Sequence, residues 1–580
     1  MKKLFYSFII TVSTLLLVSC EKQVFEDGPT DKFGETDVWN SIDLVSTYMN
    51  EVYNGMGNWV TDGFGPSSMA DDNYSQFNWA GELYISAGAA TYLNPTTANN
   101  LGVNYNKGGS YTPDRNSTNV TGKWGYMYSK IRAINKFFNN IDKVPGDAEL
   151  KDRMKGEMHF LRAYFYAQLI NVYGEVPIIT KEYSIEDDFT DITKSSFQEV
   201  TDFVVKECDS AIASLPISFP SEPGRATKGA AMALKAEQLL YAASPLNNGG
   251  SYDAAKLQLA KAANEAIMDL DIYSLYDPTD YRRIFLDKAH PEIIFAKYTN
   301  GALHVDREND MELDLAPAGA GGFTAYPPLQ NLVDEYEVID GANTFIPATW
   351  NGTMRTVTSN PAYDDNNMYV NRDPRFYASI LYNGATRGAN GYIIESYVGG
   401  KDSRQSTVSQ WWNATWSSYY VRKYSEERTD SYGNSSFFDV MWIHYRLGEI
   451  YLNQAEILFE LNTTDTDGHD ALWYVNQIRS RAGMPVYASL DREKIRHERR
   501  IELVFEGNRY FDTRRWMIYD QIMRKGQYGI TVTKQPDGSF THELFGIWNV
   551  TGAYDTKMLW WPIPQTEIDK NPALEQTPGW

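Results

Sequence analysis

The chain has 580 residues, with 53 Lys+Arg against 75 Asp+Glu and a formal net charge of −22. A hydrophobic content of 43% and a charged content of 22% exclude wholesale disorder, and so large an acidic excess excludes phosphate-led binding to DNA or RNA. Two Cys and seven His are too few for a disulfide framework or a Cys/His zinc cluster, whereas 14% of the chain is aromatic, with 40 Tyr against 26 Phe, which predicts many rings at wet surfaces.

The length fits two to four domains or one large integrated fold. Met1-Lys2-Lys3 precedes an apolar stretch from Leu4 to Val18, which reads as a secretory signal because it is too short and too early for a spanning helix. It closes on Leu17-Val18-Ser19-Cys20, a sequence that resembles the bacterial lipobox and predicts cleavage before a lipidated Cys20. Several acyl chains suit stable anchoring, since a single chain holds only marginally. The polar segment that follows, with Gly28-Pro29, reads as a tether. No other run is apolar for about 18 residues, so nothing else is expected to span a bilayer. Cys208, the remaining thiol, falls on a helical pattern where a small buried apolar role is expected.

Apolar residues at helical spacing then predict helices over 38–56, 124–141, 149–173, 196–215, 228–243 and 252–270. In 149–173 the stripe is Leu150, Met154, Met158, Leu161, Phe165, Leu169 and Val172, ended by Gly174 and Pro177. The pattern returns over 440–461, 471–482 and 492–505. Short links between such helices predict antiparallel hairpins in series, a tetratricopeptide-like solenoid. Residues 57–122 and 300–439 break the pattern: both are rich in Gly, Asn and aromatics. Long irregular insertions in a helical scaffold are where function is expected.

Several motifs carry no catalytic or metal chemistry. His497-Glu498 lacks the second His of a zinc peptidase, and Asp465-Thr-Asp467-Gly468-His469-Asp470 has its Gly too early for a calcium loop and Asn476 at the twelfth position. It reads as a helix-to-helix turn. The Gly-rich 318–322 stretch lacks the Lys-Ser/Thr of a phosphate loop. Asp71 and Asp72 are adjacent and expected to point apart, unlike the facing carboxylates of a glycosidase. The charged block over 495–516 reads as an ion-paired helix that locks the solenoid to the C-terminal tail, with Ile501, Val504 and Phe505 facing the core.

Aromatic loops offer a positive argument. A sugar presents a C–H face that packs on an indole or phenol ring, and hydroxyls that need amide or charged partners. Two segments supply both: Asp72-Asn73 with Trp79, and Trp411-Trp412 with Trp416, supported by Tyr326, Trp350 and Arg372. These nine are the candidate ligand-binding residues.

Four blocks carry a family resemblance: Arg446-Leu-Gly-Glu-Ile-Tyr-Leu-Asn-Gln-Ala-Glu456, Val475-Asn-Gln-Ile-Arg-Ser-Arg-Ala-Gly483, the run from Glu498 to Trp516, and the tail Trp561-Pro-Ile-Pro with Asn571-Pro-Ala-Leu-Glu-Gln-Thr-Pro-Gly-Trp580. In this order, and with the lipobox, Trp124 to Asn135 and Asp373-Pro-Arg-Phe376, they closely resemble the SusD/RagB family of Bacteroidetes outer-membrane lipoproteins. The resemblance implies a mainly α fold, in which a tetratricopeptide-like helical-hairpin scaffold packs against a large loop-rich half with few short strands. The corresponding division is a signal peptide (1–19), a lipidated tether (20–37), an N-terminal region (38–300) with a loop insertion at 57–122, an aromatic-rich insertion (301–438) and a C-terminal region (439–580). It further implies a non-catalytic, surface-exposed, lipid-anchored protein of the outer membrane. Such a protein binds glycan without a cofactor, metal or nucleic acid, and delivers it to a SusC-like TonB-dependent transporter. A peptide or another nutrient as ligand, and a surface glycoside hydrolase, are the alternatives.

Overall fold

Capping residues in front of the apolar stripes set where the helices begin. The computed structural model describes residues 37–74, 123–184, 186–299, 311–406, 411–427, 439–548 and 555–580; Cys20 and Trp79 lie outside them. The helices are α1 (Ile42–Asn54), α2 (Lys123–Asn140), α3 (Ala148–Tyr173), α4 (Phe197–Ser214), α5 (Lys228–Ala243), α6 (Ala254–Met268), α7 (Leu447–Leu461), α8 (Ala471–Arg481), α9 (Arg492–Glu502) and α10 (Asn508–Arg515). The Leu150 N–H donates to the Asp147 carboxylate at 2.8 Å, the Trp473 and Lys494 N–H groups donate likewise to Asp470 and Asp491 in front of α8 and α9, and Ser196 and Glu199 form a reciprocal capping box. Each cap contributes about 1 kcal/mol. Gly174 ends α3 at φ 79°, where a side chain would also meet the Trp560 ring at 3.1 Å.

Packing follows chain order: α2 on α3, α3 on α4, α4 on α5, α5 on α6, then α6 on α7 and α7 on α8. This is the expected solenoid of helical pairs. α6 and α7 meet although almost 180 residues separate them, because the strands β1 (Ile293–Thr299) and β4 (Val440–Arg446) pair antiparallel, Ile293 opposite Arg446 and Thr299 opposite Val440. The irregular half is thereby looped out between two helices of one stack. Among its short hairpins is that of β2 (Ala348–Asn351) and β3 (Met354–Val357), and the tail adds a longer one, β5 (Gln527–Lys534) with β6 (Phe540–Trp548).

The helix expected over 440–461 begins only at Leu447. Val440-Met-Trp-Ile443 is β-branched and aromatic, and its backbone groups find partners on β1, so the long-range ladder overrides the local apolar run. The 465–470 segment is the expected turn: the Asp465 carboxylate accepts from the Asp467 and His469 N–H groups and from the Tyr474 hydroxyl.

One apolar core joins α1–α5 to the tail through Trp561, Ile563 and Leu574, and Cys208 lies within it. A second fills the irregular half around Phe64, Tyr326, Tyr336, Phe376, Trp442 and Phe505. The tyrosine excess therefore has a different origin from the wet surface it suggested. Tyr166, Tyr419 and Tyr519 are fully buried, and their hydroxyls donate to the Ile179 carbonyl, the Gln330 amide oxygen and the Met69 carbonyl at 3.1, 2.6 and 2.8 Å. A phenol can close an irregular backbone from inside where a phenyl ring cannot.

Candidate functional site

The 71–74 segment is a seam of the fold. Asp72 and Asn73 are fully buried, and the segment is stitched to 327–329 by the Leu329 N–H donating to the Asp72 carbonyl and the Tyr74 N–H donating to the Pro327 carbonyl. Contrary to expectation, the two aspartates converge: Arg500 reaches Asp71 at 3.0 Å and Asp72 at 3.2 Å, and Arg509 donates to Asp71 at 2.9 Å. Burial alone would raise the Asp71 pKa, but the two guanidiniums outweigh it and hold the carboxyl well below its usual range. The Asn73 amide donates to Ser68 Oγ at 2.9 Å. With no surface to present, Asp72 and Asn73 hold the chain rather than a ligand.

Tyr326 and Arg372 are likewise internal, each 2% exposed. Tyr326 stacks on Phe64 at 5.5 Å, and the Arg372 guanidinium donates to the backbone carbonyls of Val333, Tyr336 and Met368. Trp350 is half-buried on β2. Its indole N–H donates to Asp334 at 2.9 Å and its ring packs on Tyr528 at 4.7 Å, so it braces the hairpin against β5.

Trp412 and Trp416 behave otherwise, at 55% and 42% exposed the two tryptophans most open to solvent among the described residues. Trp412 belongs to the 3-10 turn Trp411–Asn413; the Trp411 side chain lies outside the described residues. The Arg404 guanidinium stacks 3.4 Å over the Trp416 ring, and the Trp416 N–H donates to the buried Tyr74 hydroxyl at 2.7 Å. The loop is pinned beneath by the Ile530 N–H donating to the Ser417 carbonyl and by Ser418 Oγ donating to the Ile530 carbonyl.

Asp402, fully buried, organises the wall beside these rings. Its carboxylate accepts from the Gly319 N–H, the Tyr392 hydroxyl and the Glu395 N–H at 3.1, 2.8 and 2.9 Å, and its carbonyl accepts from the Tyr420 hydroxyl. Gly319 is required there, because a Cβ would fall 2.5 Å from both the Asp402 carboxylate and the Tyr392 hydroxyl. Lys401 stands 3.9 Å from the centre of the Tyr392 ring. Trp412 and Trp416 thus stand open to solvent, with Arg404 stacked over the Trp416 ring and Lys401 over the half-buried Tyr392 ring. Sequence reading passed over Arg404, Asp402 and Tyr392; the polar Lys401-Asp402-Ser403-Arg404 run directly after Gly399-Gly400 was the available signal.

The charged block is buried machinery. Glu502, at the end of α9, accepts from Arg375, Arg446 and Arg481, and Glu498 accepts from Arg375 and Arg479 at 2.5 and 2.9 Å. The network joins α9 to the irregular half and to β4, rather than to the tail. The tie to the tail comes from Arg514, whose guanidinium donates to the Leu559 carbonyl and to the Asn171 carbonyl. Among the described residues no group of three or more His, Cys, Asp or Glu could hold a metal ion, and no helix is long and apolar enough to cross a membrane.

A family model described as SusD family matches residues 291–580, and one described as starch-binding associating with outer membrane matches residues 34–240. A SusD-like protein of Bacteroides ovatus is 22% identical over 498 residues, which cover 79% of this chain and 81% of the relative. SusD-like protein P38 of Formosa agariphila is 23% identical over 540 residues, covering 88% and 91%. The crystal structure of a SusD-like protein from Bacteroides fragilis superposes with a TM-score of 0.75 at 27% identity, covering 96% of this chain and 100% of that one. A SusD-like carbohydrate binding protein from the same species gives 0.70 at 22% identity, covering 93% and 99%. A laminarin binding SusD-like protein gives 0.62 at 20% identity, covering 93% and 100%. These descriptions are of binding proteins, not of enzymes.

Proposed function

The chain belongs to the SusD family, and on that premise we propose that it is a non-catalytic glycan-binding lipoprotein of the outer-membrane surface. It captures polysaccharide or oligosaccharide on the Trp412–Trp416 face and delivers it to a SusC-like TonB-dependent transporter. The observation that carries this reading is the pair of open indoles beside a stacked guanidinium. The exposed Trp412 ring offers a flat apolar surface to the C–H face of a sugar, and the Arg404 guanidinium stacked over Trp416 offers N–H donors to the hydroxyls.

Further support comes from the relatives named for starch, carbohydrate and laminarin binding. Asp71 and Asp72, adjacent carboxylates within the 57–122 insertion, are both engaged by arginines, which suits binding without hydrolysis. Attachment is through lipid on Cys20, and the outer-membrane reading is supported by the model matched over 34–240. Affinity electrophoresis against plant, fungal and host glycans, with peptides as control, tests the ligand. Retardation by at least one glycan, without release of reducing sugar, is expected. Binding of peptides alone, or glycan hydrolysis, would overturn the reading.

A further inference from the structure

The rings around the Trp412–Trp416 face are not equally available to a sugar. The Arg404 guanidinium lies 3.4 Å over the Trp416 ring, and the Lys401 ammonium lies 3.9 Å from the centre of the Tyr392 ring. A neutral sugar stacking there would have to displace a cation that the ring face attracts. Trp412, 55% exposed, keeps more open surface for a C–H face. Its turn, Trp411–Asn413, packs on the turn Ala318–Ala320. A Cβ on Gly319, in that second turn, would meet the Tyr392 hydroxyl at 2.5 Å and the Lys401 carbonyl at 3.0 Å. Trp412, Tyr392 and Lys401 therefore border one stretch of wall.

The carboxylates along this wall leave Lys401 unmatched. Asp402 and Glu395 are the acids whose charge reaches the Tyr392 hydroxyl. Asp402 is fully buried and already accepts from Gly319, Tyr392 and Glu395. Among the described residues Glu395 forms no ion pair, and Lys401 forms neither an ion pair nor a hydrogen bond. Arg387, whose charge also reaches Tyr392, is by contrast committed to Glu312. Packing on a ring sets the direction of a long cationic side chain in advance, so less rotamer freedom is lost when a ligand arrives. A hydroxyl takes one hydrogen bond from such a head. An anionic oxygen gains the charge as well, and charge-assisted hydrogen bonds are roughly twice as strong as neutral ones. The overall charge of −22 repels a polyanion at long range, but screening confines that field to about 8 Å at physiological ionic strength, so contacts at the wall decide.

We propose that this face selects glycans carrying an anionic oxygen group, a uronate carboxylate or a sulfate ester, with Trp412 taking the C–H face and Lys401 and Arg404 the charge. The proposal rests on the glycan reading above and names the ligand class for that same site. The test is calorimetry on the full mature chain at physiological ionic strength with two matched pairs of probes. One pair is oligogalacturonate and its methyl ester; the other is a sulfated galactan oligosaccharide and its desulfated form. Wild type should bind the charged member of one pair at least about tenfold more tightly than its neutral partner, and which pair does so tells carboxylate from sulfate. Lys401→Gln should remove about tenfold of that affinity while leaving the neutral partner's affinity and the melting temperature unchanged, and Lys401→Arg should restore it. Equal affinity within both pairs, or binding of neutral glycans alone, overturns the proposal while the glycan reading stands. An undiminished preference in Lys401→Gln/Arg404→Gln also overturns it, since the charge would then be read elsewhere. If no glycan, charged or neutral, binds wild type, both fall.

Discussion

Replacing Glu502 by Gln keeps the shape of the side chain and deletes one charge at the centre of the buried network. Glu502 is fully buried and receives Arg375 at 3.1 Å, Arg446 at 2.8 Å and Arg481. Burial would raise its pKa, but Arg481, Arg446 and Arg375 outweigh burial and hold it well below the usual carboxylate range. In the variant, an amide that is itself a donor faces three guanidiniums. Arg481 keeps only Glu292, and Arg446 keeps Glu292 and Glu506. Breaking a buried ion pair from one side costs about 3–5 kcal/mol, because the remaining charges stay desolvated. Urea unfolding followed by far-ultraviolet circular dichroism should show a loss of that size. The control is Lys288→Ala: Lys288 pairs with Asp439 at 3.3 Å, both side chains are exposed (44% and 59%), and the loss should stay below about 1 kcal/mol. Equal, small losses in the two variants would refute the claim that this network closes the helical stack on the irregular half.

Gly507→Ala should cost about 3 kcal/mol, since φ is 90° and the new Cβ would lie 1.7 Å from the Asp62 carbonyl oxygen. Gly538→Ala, at φ 88° with nothing within 4 Å, should cost only about 1 kcal/mol by the same denaturation. Burial, opposed by Asp62 and reinforced by Lys297, holds the His444 pKa down to about 4 from 6.5. The unfolded chain therefore takes up the proton first: the contribution is fully present above about pH 6.5 and is lost as pH falls toward 4, about 3 kcal/mol in all. Stability measured from pH 7.5 to 4 should show that slope, and His444→Phe should flatten it. Cys20→Ala should move the protein out of the outer-membrane fraction in cells without the transporter; full retention there would contradict lipid anchoring.

The helical scaffold was legible because its signals are local. Asp147, Ser196, Asp470 and Asp491 each stand within four residues of the first residue of an apolar stripe, and the structure begins each helix at the residue after them. Strand β4 was not legible, since Val440 to Ile443 runs straight into the apolar stripe of α7 and only pairing with the distant β1 distinguishes strand from helix. The arginine block announced ion pairs but not their direction: Arg479 finds Glu337 at 2.7 Å across more than 140 residues, and side-chain charge carries no such distance in sequence. The candidate residues divided for the same reason. Loop aromatics look alike in sequence, yet Tyr326 closes a core while Trp412 and Trp416 stay open, because only the latter lie on a loop pinned from below through its backbone by β5.

The most direct test is the affinity of Trp412→Ala and Trp416→Ala for the glycan that retards wild type. Truncating a central aromatic commonly costs about 2 kcal/mol, roughly a thirtyfold loss of affinity. Both side chains stand at the surface, so the melting temperature should barely move. A thirtyfold loss in either variant with an unchanged melting temperature is the predicted result, and undiminished glycan affinity in both would contradict the account.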